Sequence, residues 1–288
     1  MTDASATKAD SKPLAGPNIL LMGPAGTGKT HSIGTLVDWA AANGKEVFVL
    51  FTENGLETLL GYWKDHGKPV PSNLYWHQQA TVPLSLKALM SGAEIVGKSS
   101  YEMLTKMQDT NRGGENNSFW KILSSCANFK DDRTGKEFGP VDSFQVDKIF
   151  VIDSLSELSN AAMKMQVGIK PMAAPQDYGV AQQYIIGYLR LLTQGVNATF
   201  ALTAHVDRIL DPVSQITKIM VKSAGKALAD EIPQLFSDVI YTVREADKFY
   251  WDTAAFAVDA KTRSLGYKSK IDPNFALIMD VWKKRSGI

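Results

Sequence analysis

The chain has 288 residues, and its 31 Lys and Arg against 30 Asp and Glu leave a net charge of +1. That balance excludes a global basic field recruiting nucleic acid or anionic membrane, although local patches remain open. Hydrophobic residues make up 44%, enough for one large core or two modest ones, no apolar run approaches a membrane span, and the single Cys126 excludes an intrachain disulfide framework.

Residues 1–17 are rich in Ser, Thr, Ala, Asp and Lys without an apolar signal core, which predicts a disordered tail on a cytoplasmic protein. Residues 19–22 form a short apolar run suited to a buried strand. The run feeds Gly23, Pro24, Ala25, Gly26, Thr27, Gly28, Lys29 and Thr30, a complete phosphate-binding loop of the G-x-x-x-x-G-K-[ST] pattern. Glycines let such a loop curl so that successive N–H groups face phosphate oxygens. Lys29 is expected to reach the β- and γ-phosphates, and the Thr30 hydroxyl to ligate Mg²⁺. His31 follows directly. Behind it Ile33, Leu36, Val37, Ala40 and Ala41 recur at helical spacing, and Asn43-Gly44 supplies a stop. The helix N-terminus then turns its partial positive charge on the phosphates. The expected ligands are ATP and Mg²⁺, with GTP not excluded.

Residues 47–51, 149–152 and 199–202 are short continuous apolar runs, as in strands buried on both faces of a parallel sheet. The expected fold is α/β: a mostly parallel sheet flanked by helices, with an antiparallel extension from 239–243 and 249–258. Residues 18–288 read as one nucleotide-binding domain. The stretch at about 60–146 exceeds a minimal core and is expected as an insertion, with helices at 84–90 and 101–107 and turns at 111–117 and 130–136. A helix is expected over 177–193, closed by Gly195.

Residues 149–153 form an apolar strand ending in an acid, the Walker B pattern, and Asp153 is the second candidate Mg²⁺ ligand. Ser154 follows where several ATPase classes carry the catalytic acid, so the base must come from elsewhere. Glu53, closing 47–53, is the candidate. His205 closes 199–205 and either donates a hydrogen bond to the γ-phosphate or is a satisfied structural histidine. Lys261 and Arg263 follow an expected strand at 256–260 and are either a charge-stabilising pair or a solvated edge.

These motifs, in this order, resemble the RecA-type recombinase core over residues 18–270, the 60–146 stretch apart. In that family a glutamate closing the strand after the phosphate-loop helix polarises the attacking water, in a context similar to Thr52-Glu53-Asn54-Gly55. Its Walker B strand also reads Asp-Ser, as Asp153-Ser154 does. Glutamine is usual at the γ-phosphate-sensing strand end, so His205 departs from the pattern. Lys261-Thr262-Arg263 resembles the Lys-x-Arg pair of DnaB-type hexameric helicases, whose cations reach a neighbouring subunit's γ-phosphate. That resemblance implies a homo-oligomer, a ring or filament. Asp177-Tyr178-Gly179 and the end of the His205 strand are most similar to phage-encoded RecA-like ATPases related to single-strand-annealing recombinases.

The resemblance places two DNA-binding loops at about 160–176 and 206–226. The first holds Lys164 and Lys170, with Met165, Ile169 and Met172 as apolar wedges. The second holds Arg208, Lys218, Lys222 and Lys226 against Asp207 and Asp211. Neither carries an aromatic residue, so single-stranded DNA contact is expected to be weak and salt-sensitive, with a plain solvated loop as the alternative. Two functions remain: an ATPase acting on single-stranded DNA in recombination, annealing or replication, and an assembly or regulatory ATPase without nucleic acid; a small-molecule kinase comes third, since it needs an Arg-rich lid and Arg112 and Arg133 make a poor one.

Overall fold

The computed structural model describes residues 14–79, 85–106, 117–168, 173–210 and 215–287. The first half contains β1 (Asn18–Met22), α1 (Lys29–Ala42), β2 (Glu46–Phe51), α2 (Leu56–Lys64), β3 (Leu74–Gln78), α3 (Leu86–Lys98), α4 (Tyr101–Lys106) and α5 (Ser118–Ala127). The second contains β4 (Lys148–Asp153), α6 (Leu155–Val167), α7 (Pro175–Arg190), β5 (Thr199–Ala204), β6 (Val206–Leu210) and β7 (Thr217–Val221). It continues with α8 (Lys226–Glu231), β8 (Asp238–Glu245), β9 (Lys248–Asp252) and α9 (Ala276–Ser286).

Among the described residues one sheet runs in the order β3-β2-β4-β5-β1-β8-β9. All neighbours are parallel except β8 and β9, which form an antiparallel pair. The side-chain period of two sorts the strands onto two cores. Leu20, Met22, Phe48, Leu50, Phe150, Ile152, Phe200 and Leu202 pack with α5, α6, α7 and α8. Ile19, Leu21, Val47, Val49, Ile149, Val151 and Ala201 pack with α1, α2 and α9. The fold is therefore α/β, helices on both faces of a mostly parallel sheet, with an antiparallel edge. The order sets β5 between β1 and β4, so the ends of β1, β5, β4 and β2 meet along one edge. In open α/β sheets that carboxyl edge is where ligands bind.

Several expectations change. The sheet takes in β3, so the stretch outside it starts after Gln78 rather than at 60. The turn at 130–136 is tied to β3 as well: buried Asp131 accepts hydrogen bonds from Trp76 N (2.9 Å) and from Thr134 N (2.9 Å). Residues 14–17 are bonded rather than loose, with Gly16 N donating to Asn197 O (2.9 Å) and Trp282 Nε1 to Ala15 O (2.9 Å); residues 1–13 lie outside the described ones. The expected antiparallel extension is present as the β8–β9 pair, and β8 also lies parallel to β1, which joins the extension to the main sheet. Residues 253–260 are not a strand, since only an isolated bridge joins Val258 to Ile219. The second expected DNA loop is largely the antiparallel hairpin β6–β7. Residues 160–167 of the first are helix α6, and Met165 packs on the core instead of standing free as a wedge. Ile169, Lys170, Met172, Arg112 and Asp211 lie outside the described residues.

Candidate nucleotide site

The phosphate-binding loop joins β1 to α1 and takes its shape from its glycines. Gly28 has φ +80°, in the left-handed region, and a Cβ there would fall 2.7 Å from Phe249 Cγ. Both the conformation and the close approach demand glycine. Thr27 Oγ1 donates to Pro24 O (2.8 Å) and shares a 2.7 Å hydrogen bond with Thr242 Oγ1 on β8, which pins the loop to the sheet. Pro24, Ala25 and Gly26 form its outer arch, with Ala25 and Gly26 exposed.

Lys29 opens α1 and is buried, its Nζ donating to Gly23 O (2.9 Å) and Pro24 O (2.8 Å). Burial lowers its pKa to about 8, partly offset by the charges of Asp153 and Glu53. Thr30 Oγ1 donates to Asp153 Oδ2 at 2.8 Å, and Thr203 Oγ1, on β5, donates to Asp153 Oδ1. Asp153 is 1% exposed, and burial pushes its carboxyl above the ordinary carboxylate value against the pull of those two hydroxyls. The Asp153–Ser154 peptide is cis.

Strand β2 ends at Phe51, two residues before Glu53, which therefore stands on the turn rather than on the strand. Thr52 fastens that turn to β4: its N donates to Asp153 O (2.8 Å) and its Oγ1 to Ser154 O (2.9 Å). Glu53 Oε2 faces His205 Nε2 at 3.6 Å. The His205 side chain is the largest influence on Glu53, holding its carboxyl below the ordinary value against the opposing effect of partial burial. Gly55 brings the turn close to Asp153, because a Cβ there would sit 2.5 Å from Asp153 Oδ2 and 2.9 Å from the Phe51 ring.

Lys29, Thr30, Glu53, Asp153 and His205 thus gather at one edge, and the residues that sequence reasoning missed are Thr203, Thr242 and Phe249. Thr203 had a signal, a hydroxyl inside an otherwise apolar strand end. His31 lies between Tyr62 and Phe249, with ring centroids 5.1 and 6.1 Å away. The oxygen set of Thr30 and Asp153 suits Mg²⁺, a hard cation bound through one or two protein oxygens plus substrate phosphates. Among the described residues no group of three or more His, Cys, Asp and Glu forms a separate metal site.

Lys261 and Arg263 lie elsewhere. Lys261 pairs with Val239 near the start of β8, and the Arg263 N donates to Asp238 Oδ1 (3.0 Å). Since β8 runs parallel to β1, this is the opposite end of the sheet from the loop of the same chain. Lys261 Nζ donates to Gln234 O (3.2 Å), and the exposed Arg263 borders a cavity of about 250 Å³ with Trp282 and Arg285. Arg208, Lys218, Lys222 and Lys226 are exposed on the hairpin and the start of α8, and Lys164 is exposed on α6. Arg133 is no lid: it donates to Leu74 O (2.6 Å) and stacks 5.0 Å over Trp76.

No protein family and no curated protein matches the chain. Among solved structures, the chain is similar to an ATPase from the type III secretion system of pathogenic bacteria, at 14% identity and a TM-score of 0.38. The match covers 80% of this chain and 53% of that one, so the chain spans about half of its length. No helix among the described residues is long and apolar enough to cross a membrane.

Proposed function

We propose that this chain binds and hydrolyses ATP as a RecA-like P-loop ATPase, phage-encoded, that acts on single-stranded DNA in recombination, annealing or replication. The observation that carries the ATPase reading is the Thr30–Asp153–Thr203 hydrogen-bonded set beside Lys29, with the Glu53–His205 pair at the next strand ends. The loop N–H groups and the Lys29 ammonium hold the phosphates, whose oxygens take over from the carbonyls of Gly23 and Pro24. Thr30 and Asp153 would hold Mg²⁺, which when bound neutralises charge on the β- and γ-phosphates. Glu53, kept ionised beside His205, orients a water and takes its proton. The water oxygen bonds to the γ-phosphorus while the bond to the β–γ bridging oxygen breaks, releasing ADP and phosphate. His205 donates a hydrogen bond to the γ-phosphate and reports its presence.

Exposed Arg208, Lys218 and Lys222 on a hairpin that starts next to His205 support contact with a phosphodiester backbone. Lys261 and Arg263, far from their own loop, are offered to the loop of a neighbour in a ring or filament. Turnover of ATP measured with and without single-stranded DNA tests the reading. The expected result is stimulation by DNA that fades with salt and is lost in Arg208→Ala/Lys218→Ala. Turnover indifferent to DNA would leave an assembly or regulatory ATPase, and absence of ATP binding would overturn the whole. Mixed Lys29→Ala and Arg263→Ala subunits should recover part of the turnover; no recovery would return Arg263 to the surface.

A further inference from the structure

With a triphosphate held by Lys29 and the first turn of α1, as proposed above, the nucleoside would lie past Thr30, away from buried Asp153. The side chain there is His31. Two aromatic residues from distant parts of the chain converge on it, Tyr62 from α2 and Phe249 from β9, at ring distances of 5.1 and 6.1 Å. All three are partly exposed; Tyr62 also packs against the core, whereas His31 and Phe249 are not among the core residues. Their positions are held. Tyr62 Oη donates to Asp38 Oδ2 (3.1 Å), and Phe249 lies against the backbone of Gly28, where a Cβ would meet it at 2.7 Å. The Arg244 guanidinium sits 5.9 Å from the Phe249 ring centre and is fixed by Nε donating to Ala246 O (2.9 Å).

We infer that His31, Phe249 and Arg244 form a stacking wall for the nucleobase, so that the base is held by its π-face. The inference rests on the reading of the loop as a triphosphate site. Aromatic and guanidinium planes both stack on bases, and every base offers such a face.

The test compares a non-hydrolysable ATP analogue with inorganic tripolyphosphate by calorimetry, in the presence of Mg²⁺. Phe249→Leu keeps apolar bulk against Gly28 but removes the ring. It should weaken the ATP analogue about tenfold and leave tripolyphosphate unchanged, whereas Phe249→Trp should bind both as the parent does. Unchanged affinity of Phe249→Leu for the analogue would overturn the wall. So would equal weakening of both ligands, which would mean that the ring only props up the loop. If the parent chain binds neither ligand, the triphosphate reading itself fails, a result distinct from either.

Discussion

Asp153 and Asp238 are both carboxylates buried at an end of the same sheet, with 1% and 0% exposure, yet their neighbours differ in kind. Asp238 accepts from Thr262 Oγ1 (2.8 Å), from the Arg263 and Ser264 N–H groups (both 3.0 Å) and from the Ser237 hydroxyl (2.9 Å). Two of those donors are backbone and cannot turn away, so this acid closes a loop. Asp153 meets two threonine hydroxyls, and a hydroxyl can rotate to present a lone pair instead. In the proposed function the acid whose partners can be exchanged is the one that would take a ligand; the acid with fixed partners is architecture.

The hardest strike at this distinction falls on Lys29. Lys29→Ala should abolish ATP binding in a calorimetric titration, because no other cation of the loop stands in for it; micromolar affinity in that variant would remove the functional end altogether. Next, Glu53→Gln should keep ATP bound while turnover drops by about 10² to 10⁴, and Asp153→Asn should weaken Mg²⁺-dependent binding as well. Parental turnover in Glu53→Gln would move the base elsewhere. Titrating the parent sharpens the same end. Lys29 sheds its proton as pH climbs past about 8, so ATP affinity should decline above that pH, by up to about tenfold per pH unit. Glu53, held below its ordinary value, stays ionised there and cannot cause the decline. Lys29→Arg should flatten that profile. At the other end, Asp238→Ala strands two backbone donors and should lower stability by about 3 kcal/mol in urea denaturation, with ATP affinity of the folded protein unchanged. Altered affinity there would erase the contrast.

What the chain reveals before folding is whatever is local. The loop octapeptide and the apolar runs of β1, β2, β4 and β5 are contiguous, so the fold class could be read directly, as could five residues that the structure brings to one edge. Strand β3, Leu-Tyr-Trp-His-Gln, escaped because it is a short edge strand whose sequence neither forms a continuous aliphatic run nor alternates apolar with polar residues. The hairpin β6–β7 escaped for a related reason: its charges suggested solvent, while Val206, Ile209 and Ile219 pack against the core. Thr242 and Phe249 reach the loop from more than 200 residues away, a proximity created only by the parallel pairing of β1 with β8. The Lys261-Thr262-Arg263 motif shows the converse. Its spacing was legible, but its end of the sheet was not.

The turn that carries Glu53 can rest beside Asp153 only because position 55 has no side chain. A saturation library selected for turnover should therefore find position 55 as intolerant as Lys29, while exposed Asn54 next to it accepts most replacements. The approach of the Glu53 turn to Asp153, and with it the proposed alignment of base and metal ligand, is written into a missing methyl group.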